Sequence, residues 1–132
     1  MSYANNPTSI LAGTGISITP TTGTGSNTIT ISSTGTQTLA VRSATATPVT
    51  VTNNDDVISV EVAPAAAVTV NLPVGVTGRV FNIKDGLGNA KNATPITIVP
   101  AAGTIDGAAN AIISAPYGSL TLVYSGTEWL IL

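Results

Sequence analysis

Ser119-Leu120-Thr121-Leu122-Val123-Tyr124 alternates: Leu120, Leu122 and Tyr124 stand at one parity, Ser119 and Thr121 at the other. Successive side chains of a strand point to opposite faces, so this run reads as a strand with one face on a core and one towards solvent. Ser125-Gly126 supplies tight-turn chemistry after it, and Thr127 to Leu132 returns as a second strand. Val68-Thr69-Val70-Asn71-Leu72 repeats the pattern upstream, with Val68, Val70 and Leu72 opposite Thr69 and Asn71. Further strand-like runs at Ile16–Ile18, Thr28–Ser32, Thr36–Val41, Val49–Thr52, Val57–Val62, Val80–Lys84, Ile96–Val99 and Ala111–Ile113 recur about every ten residues. The one helix-friendly patch, Ala63 to Ala67, contains Pro64 and is too short to stand alone. The expectation is an all-β chain, a jelly-roll-like antiparallel β-sandwich.

The composition divides the chain. No charged side chain precedes Arg42, and Gly13 to Thr36 is dominated by Thr, Ser and Gly, with Ile16, Ile18, Ile29 and Ile31 alternating. From about Thr45 valine and proline become frequent, and every aromatic residue except Tyr3 lies beyond that point. Residues 1–44 are therefore expected to form an N-terminal arm, extended or folded into a β-hairpin, and residues 45–132 a compact β-sandwich. Two strands alone are marginal in water, so the arm is expected to gain its order on a partner. Burying it would involve no ionic desolvation, which makes Ile16, Ile18, Ile29 and Ile31 the candidate docking residues.

A length of 132 residues fits one domain, or a domain with an arm. Charged residues make up 8%, against about 25% in ordinary domains, and the formal net charge is -2. That composition offers no basic stripe for nucleic acid and no polybasic patch for anionic lipid, so neither nucleic acid nor membrane is an expected partner. Cysteine and histidine are absent, which removes disulfides, Cys/His zinc sites, thiol nucleophiles and the commonest general base. Met1-Ser2-Tyr3-Ala4-Asn5-Asn6-Pro7 has neither a basic nor an apolar leader region, so export by a secretory signal is not expected.

Six carboxylates, Asp55, Asp56, Glu61, Asp85, Asp106 and Glu128, are the only candidates for acid/base chemistry. Asp55 and Asp56 follow Asn53-Asn54, while Asp85 and Asp106 each precede glycine, so four of the six read as turn residues. Asp85 with Asn89 lacks the ligand spacing of a calcium loop, and Gly13-Thr14-Gly15 and Gly86-Leu87-Gly88 lack the lysine and helix of a phosphate loop. Glu128-Trp129 could serve as a sugar platform, the alternative being a core tryptophan. No catalytic residue, cofactor or metal is expected. In the last strand Trp129 and Ile131 point one way, Leu130 and Leu132 the other. A strand apolar on both faces is either central in its sheet or sealed by another subunit, which makes Trp129, Leu130, Ile131 and Leu132 candidate interface residues.

Several pieces resemble, in order and spacing, the small β-domains of tailed-bacteriophage fibre and head-decoration proteins. They are Val68-Thr69-Val70-Asn71-Leu72-Pro73, Phe81-Asn82-Ile83-Lys84-Asp85 with Gly88-Asn89-Ala90, Ile96-Thr97-Ile98, Thr104-Ile105-Asp106-Gly107-Ala108 and Tyr117 to Trp129. Gly13 to Thr19 and Asn27 to Ile31 are similar to linking segments of phage tail fibres. The resemblance implies a homotrimeric structural protein of the virion, assembled in the host cytoplasm, without enzymatic activity, whose partners are the major capsid protein or a tail or neck protein. The short length, with no long repeat and no coiled-coil heptad, favours a capsid-decoration (cement) protein docking through its arm. The alternative is a short tail or neck fibre, or an adhesin domain binding host surface glycans.

Overall fold

In a computed structural model, residues 16–20, 29–33 and 38–132 are described. All their regular elements are strands, and the chain divides into two units, Met1–Thr38 and Leu39–Leu132.

In the first unit β1 (Ile16–Pro20) pairs antiparallel with β2 (Ile29–Ser33). The register sets Ile18 opposite Ile31 and Ile29 opposite Pro20. The alternation of isoleucine with Ser and Thr is what gives both runs their strand character. The segments before, between and after these strands lie outside the described residues.

The second unit holds β3 (Val41–Ala44), β4 (Val49–Thr50), β5 (Val57–Val60), β6 (Val68–Asn71), β7 (Val80–Asp85), β8 (Ile96–Val99), β9 (Ala111–Ile113), β10 (Ser119–Tyr124) and β11 (Trp129–Ile131). One sheet has the order β11-β10-β7-β5-β3, the other β4-β6-β8-β9. Neither closes into a barrel. From β3 to β8 the chain alternates between the sheets, so each strand returns beside the one two earlier and runs the same way. The pairs β3–β5, β5–β7, β4–β6 and β6–β8 are accordingly parallel. Only β8–β9, β7–β10 and β10–β11 are antiparallel.

This corrects the expected antiparallel pairing: both sheets are mixed, and jelly-roll wiring, built from antiparallel Greek keys, is not what these pairs form. A parallel pair needs a crossover, usually a helix; here a strand of the opposite sheet serves. Parallel sheets ordinarily read as unbroken apolar runs because both faces are covered. These strands alternate like antiparallel ones because each sheet covers only one face of the other.

The inward faces share one core. Ile58, Val60, Phe81, Ile83, Leu122 and Trp129 come from the five-stranded sheet, and Val68, Val70, Ile96, Ile98 and Ile113 from the four-stranded one. Phe81 and Tyr124 flank Trp129 with ring centroids at 5.4 and 5.2 Å. Fully burying one such aliphatic or phenyl side chain contributes about 1.5–3 kcal/mol. The compact unit starts at Leu39 rather than Thr45, because β3 completes the five-stranded sheet and Ala44 is buried in the core. The composition shift marks the first charge, which stands one residue inside an edge strand.

Candidate functional site

The acids come first, because a polar chain with so few charges must place each of them. Asp55 is buried where the β4–β5 connection turns, and Arg42 of β3 reaches it with Nε at 2.7 Å and Nη2 at 3.0 Å. The Thr52 amide and hydroxyl also donate to Asp55, at 2.8 and 3.1 Å. The guanidinium, helped by Thr52, outweighs desolvation and holds the Asp55 carboxyl below its usual range. Asp56 accepts the Ala40 amide at 2.8 Å and Arg79 Nη1 at 2.8 Å, and its carboxyl is lowered by that amide and by Arg79. Arg79 Nη2 also donates to the Asp55 carbonyl, and its guanidinium lies 4.7 Å from the Phe81 ring centroid.

Asp85 is the acid most completely withdrawn from water, 1% exposed at the end of β7. Its Oδ1 accepts the amides of Gly88 and Asn89 at 3.1 and 3.2 Å, its Oδ2 those of Ala90 and Tyr117 at 2.9 and 3.0 Å. Burial pushes this carboxyl up, but the four amides favour the charged form more and the net shift is downward. One side chain thus pins two loops, residues 86–90 and 114–118, and holds Tyr117 at φ 58°. The four N–H donors occupy both oxygens of this carboxylate and turn their positive ends towards the site a cation would need, which argues against the calcium alternative for Asp85 and Asn89.

The other three acids are also committed. Glu61 accepts from Ser43 and Ser59 Oγ at 3.1 and 2.7 Å, Glu128 from Thr104 Oγ1 and the Gly107 amide, both at 2.9 Å. Asp106, at φ 47° before Gly107, accepts the Ile131 amide at 3.2 Å. That bond, with Trp129 N–H to Thr104 O and Asp106 N–H to Trp129 O, covers the outer edge of β11. No group of three or more acids among the described residues could hold a metal ion. Sequence reasoning saw turn aspartates but missed their clamping role. The Asp85-Gly-Leu-Gly-Asn spacing is the one local signal that points to it.

The candidate interface strand divides. Trp129 is 0% exposed between Phe81 and Tyr124, which corrects its assignment to an oligomer interface and removes it as a sugar platform. Nor is β11 central: it ends its sheet. Ile131 stands opposite Leu122 on the inward side, while Leu130 stands opposite Val123 on the outward side, and Leu132 follows two residues on and is exposed.

That outward side belongs to a wider surface. Register places Leu130, Val123 and Val80 in one row across β11, β10 and β7. The next row is Thr121, Asn82, Val57 and Val41, with Leu132 beside Thr121. A third row, Ser119, Lys84, Ser59 and Ser43, is polar. Asn82 Nδ2 donates to Thr121 Oγ1 at 2.8 Å, tying together the two polar side chains in the middle.

No family model matches the chain, and no curated protein is significantly similar to it.

Proposed function

We propose that this chain is a structural protein of a tailed-bacteriophage virion, a homotrimeric capsid-decoration protein docking through its N-terminal arm. The observation that carries the reading is the use made of the six carboxylates: each is hydrogen-bonded to the protein's own backbone, hydroxyls or guanidinium groups. Acid/base catalysis needs a carboxyl facing a substrate with its pKa poised near the working pH. Here the three perturbed carboxyls are lowered, which keeps them ionised as fixed braces. Such bracing suits a head that must hold its shape. The resemblance of Val68 to Trp129 to phage β-domains supplies the setting, and the sandwich-like pair of sheets agrees with it. The uncharged arm, with Ile16, Ile18, Ile29 and Ile31, is the segment assigned to the shell. The fibre or adhesin alternative is less supported, since its glycan platform at Trp129 is inside the core.

Immunogold labelling of intact particles with an antibody against the chain tests this directly. Label on the capsid, lost when residues 2–36 are deleted while the head stays folded, is the expected result. Label on the tail supports the fibre alternative, and unlabelled particles overturn the virion reading.

A further inference from the structure

We propose that copies of this chain meet through the outer face of the five-stranded sheet, a second copy covering the stripe from Leu130, Val123 and Val80 to Val57 and Val41. The proposal deepens the homotrimer reading above and rests on it: it replaces the last strand with a whole sheet face.

Three observations select the face and its occupant. The first is the contrast between the two sheets. The outer face of the four-stranded sheet carries Thr50, Thr69, Asn71 and Thr97, with Val99 and Ile112 its apolar members. The five-stranded sheet instead turns outward an aliphatic stripe that spans all five strands, about 19 Å at ordinary strand spacing. At its two ends Val41 and Leu132 are 66% and 76% exposed, with Val80 exposed and Val57, Val123 and Leu130 half-buried between them, and an outward aliphatic surface of this kind marks an interaction site.

Second, the stripe has the layout of an interface: aliphatic residues on both sides of one amide–hydroxyl pair, with the Ser119, Lys84, Ser59 and Ser43 row as a polar rim. Its central Asn82 and Thr121 side chains share one hydrogen bond, and the Asn82 carbonyl and Thr121 hydroxyl proton left over can pair with the same groups of another copy.

Third, the charges exclude the other partner classes. Of the cations on this side Arg79 is paired with Asp56 at 2.8 Å, while Lys84, donating to the neutral Tyr117 carbonyl, keeps a single unpaired charge in the polar row, too little for an anionic lipid surface or an acidic protein to recognise. The fitting partner is largely aliphatic, with an amide and a hydroxyl at its centre and a hydroxyl-rich row on one flank, which is a description of the same face on another copy. Around a three-fold axis the Leu130–Val123 half of one copy meets the Val57–Val41 half of the next, and no unpaired charge is buried.

The full-length protein tests the proposal by light scattering and by cysteine labelling, which is clean because the sequence has no cysteine. Wild type is expected at three times the 13.1 kDa chain mass. Val80→Cys should react with a maleimide about tenfold slower than Ile112→Cys once about nine-tenths of the chains are assembled. Val80→Glu should give a folded monomer by circular dichroism and scattering, with Val41→Glu as the substitute if Val80→Glu does not fold, while Ile112→Glu should stay assembled. An assembled wild type in which Val80→Cys labels as fast as Ile112→Cys overturns this interface and leaves the homotrimer standing. A monomeric wild type overturns both, while particle labelling still decides the virion reading on its own.

Discussion

Replacing Asp85 with asparagine changes one atom and should cost the domain a large part of its stability. The carboxylate takes two amides on each oxygen. An asparagine keeps one acceptor oxygen and turns an NH2 group towards the other two donors, so two backbone N–H groups lose their partner. A buried donor left unsatisfied costs about 1–3 kcal/mol. Ala90 is 1% exposed and would carry that cost in full, whereas residue 117 is 62% exposed and water can replace part of its bond. The expected loss is about 2–4 kcal/mol, against the roughly 5–15 kcal/mol that holds a domain together. Urea unfolding followed by the fluorescence of Trp129, the single tryptophan, measures it. The pH dependence adds a second check. The folded carboxyl lies below its usual value, so its contribution is complete above the unfolded pKa of about 3.9 and is lost as pH falls through the folded one. Wild type and Asp85→Asn should therefore differ fully at about pH 7 and converge in strong acid. A variant within about 0.5 kcal/mol of wild type at neutral pH would refute the clamp.

Three further outcomes follow from the same structure. Trp129 emission should be blue-shifted and resist iodide quenching in the native protein, and Trp129→Ala should lose about 3–5 kcal/mol by opening a core cavity; strong quenching of the native chain would contradict its burial. Asp55→Asn should cost about 1–2 kcal/mol, chiefly through the part-buried Thr52 and Arg42 bonds, and a double-mutant cycle with Arg42→Gln should assign under about 1 kcal/mol to the charge pair because the Arg42 side chain is 40% exposed. Gly75→Ala would place a Cβ 2.2 Å from the Tyr124 ring, so thermal melting should show a loss of about 1–3 kcal/mol, and an unchanged melting temperature would mean that the ring is not packed there.

Period-two alternation determined much of this protein by itself. It marked the strands and told inward from outward residues: Val68, Val70, Leu72 and Leu122 are buried where the pattern places them, because facing is fixed by the backbone of each strand. The absence of helical elements among the described residues and the placing of Asp85 and Asp106 at turns were legible for the same local reason. Direction and partner were not. Whether Val57–Val60 pairs parallel with Val41–Ala44 or antiparallel depends on the path between them, which crosses to the other sheet and back, and alternation is identical in either case. The last strand, apolar on both sides, reads from sequence as either central in its sheet or sealed by another subunit; tertiary packing puts it at the sheet's end and divides it, sending Trp129 into the core and Leu130 to the outer face. Asp85 became a clamp only in the folded chain, because its fourth donor, the Tyr117 amide, comes from 32 residues away and no local pattern encodes a contact that the fold alone brings together.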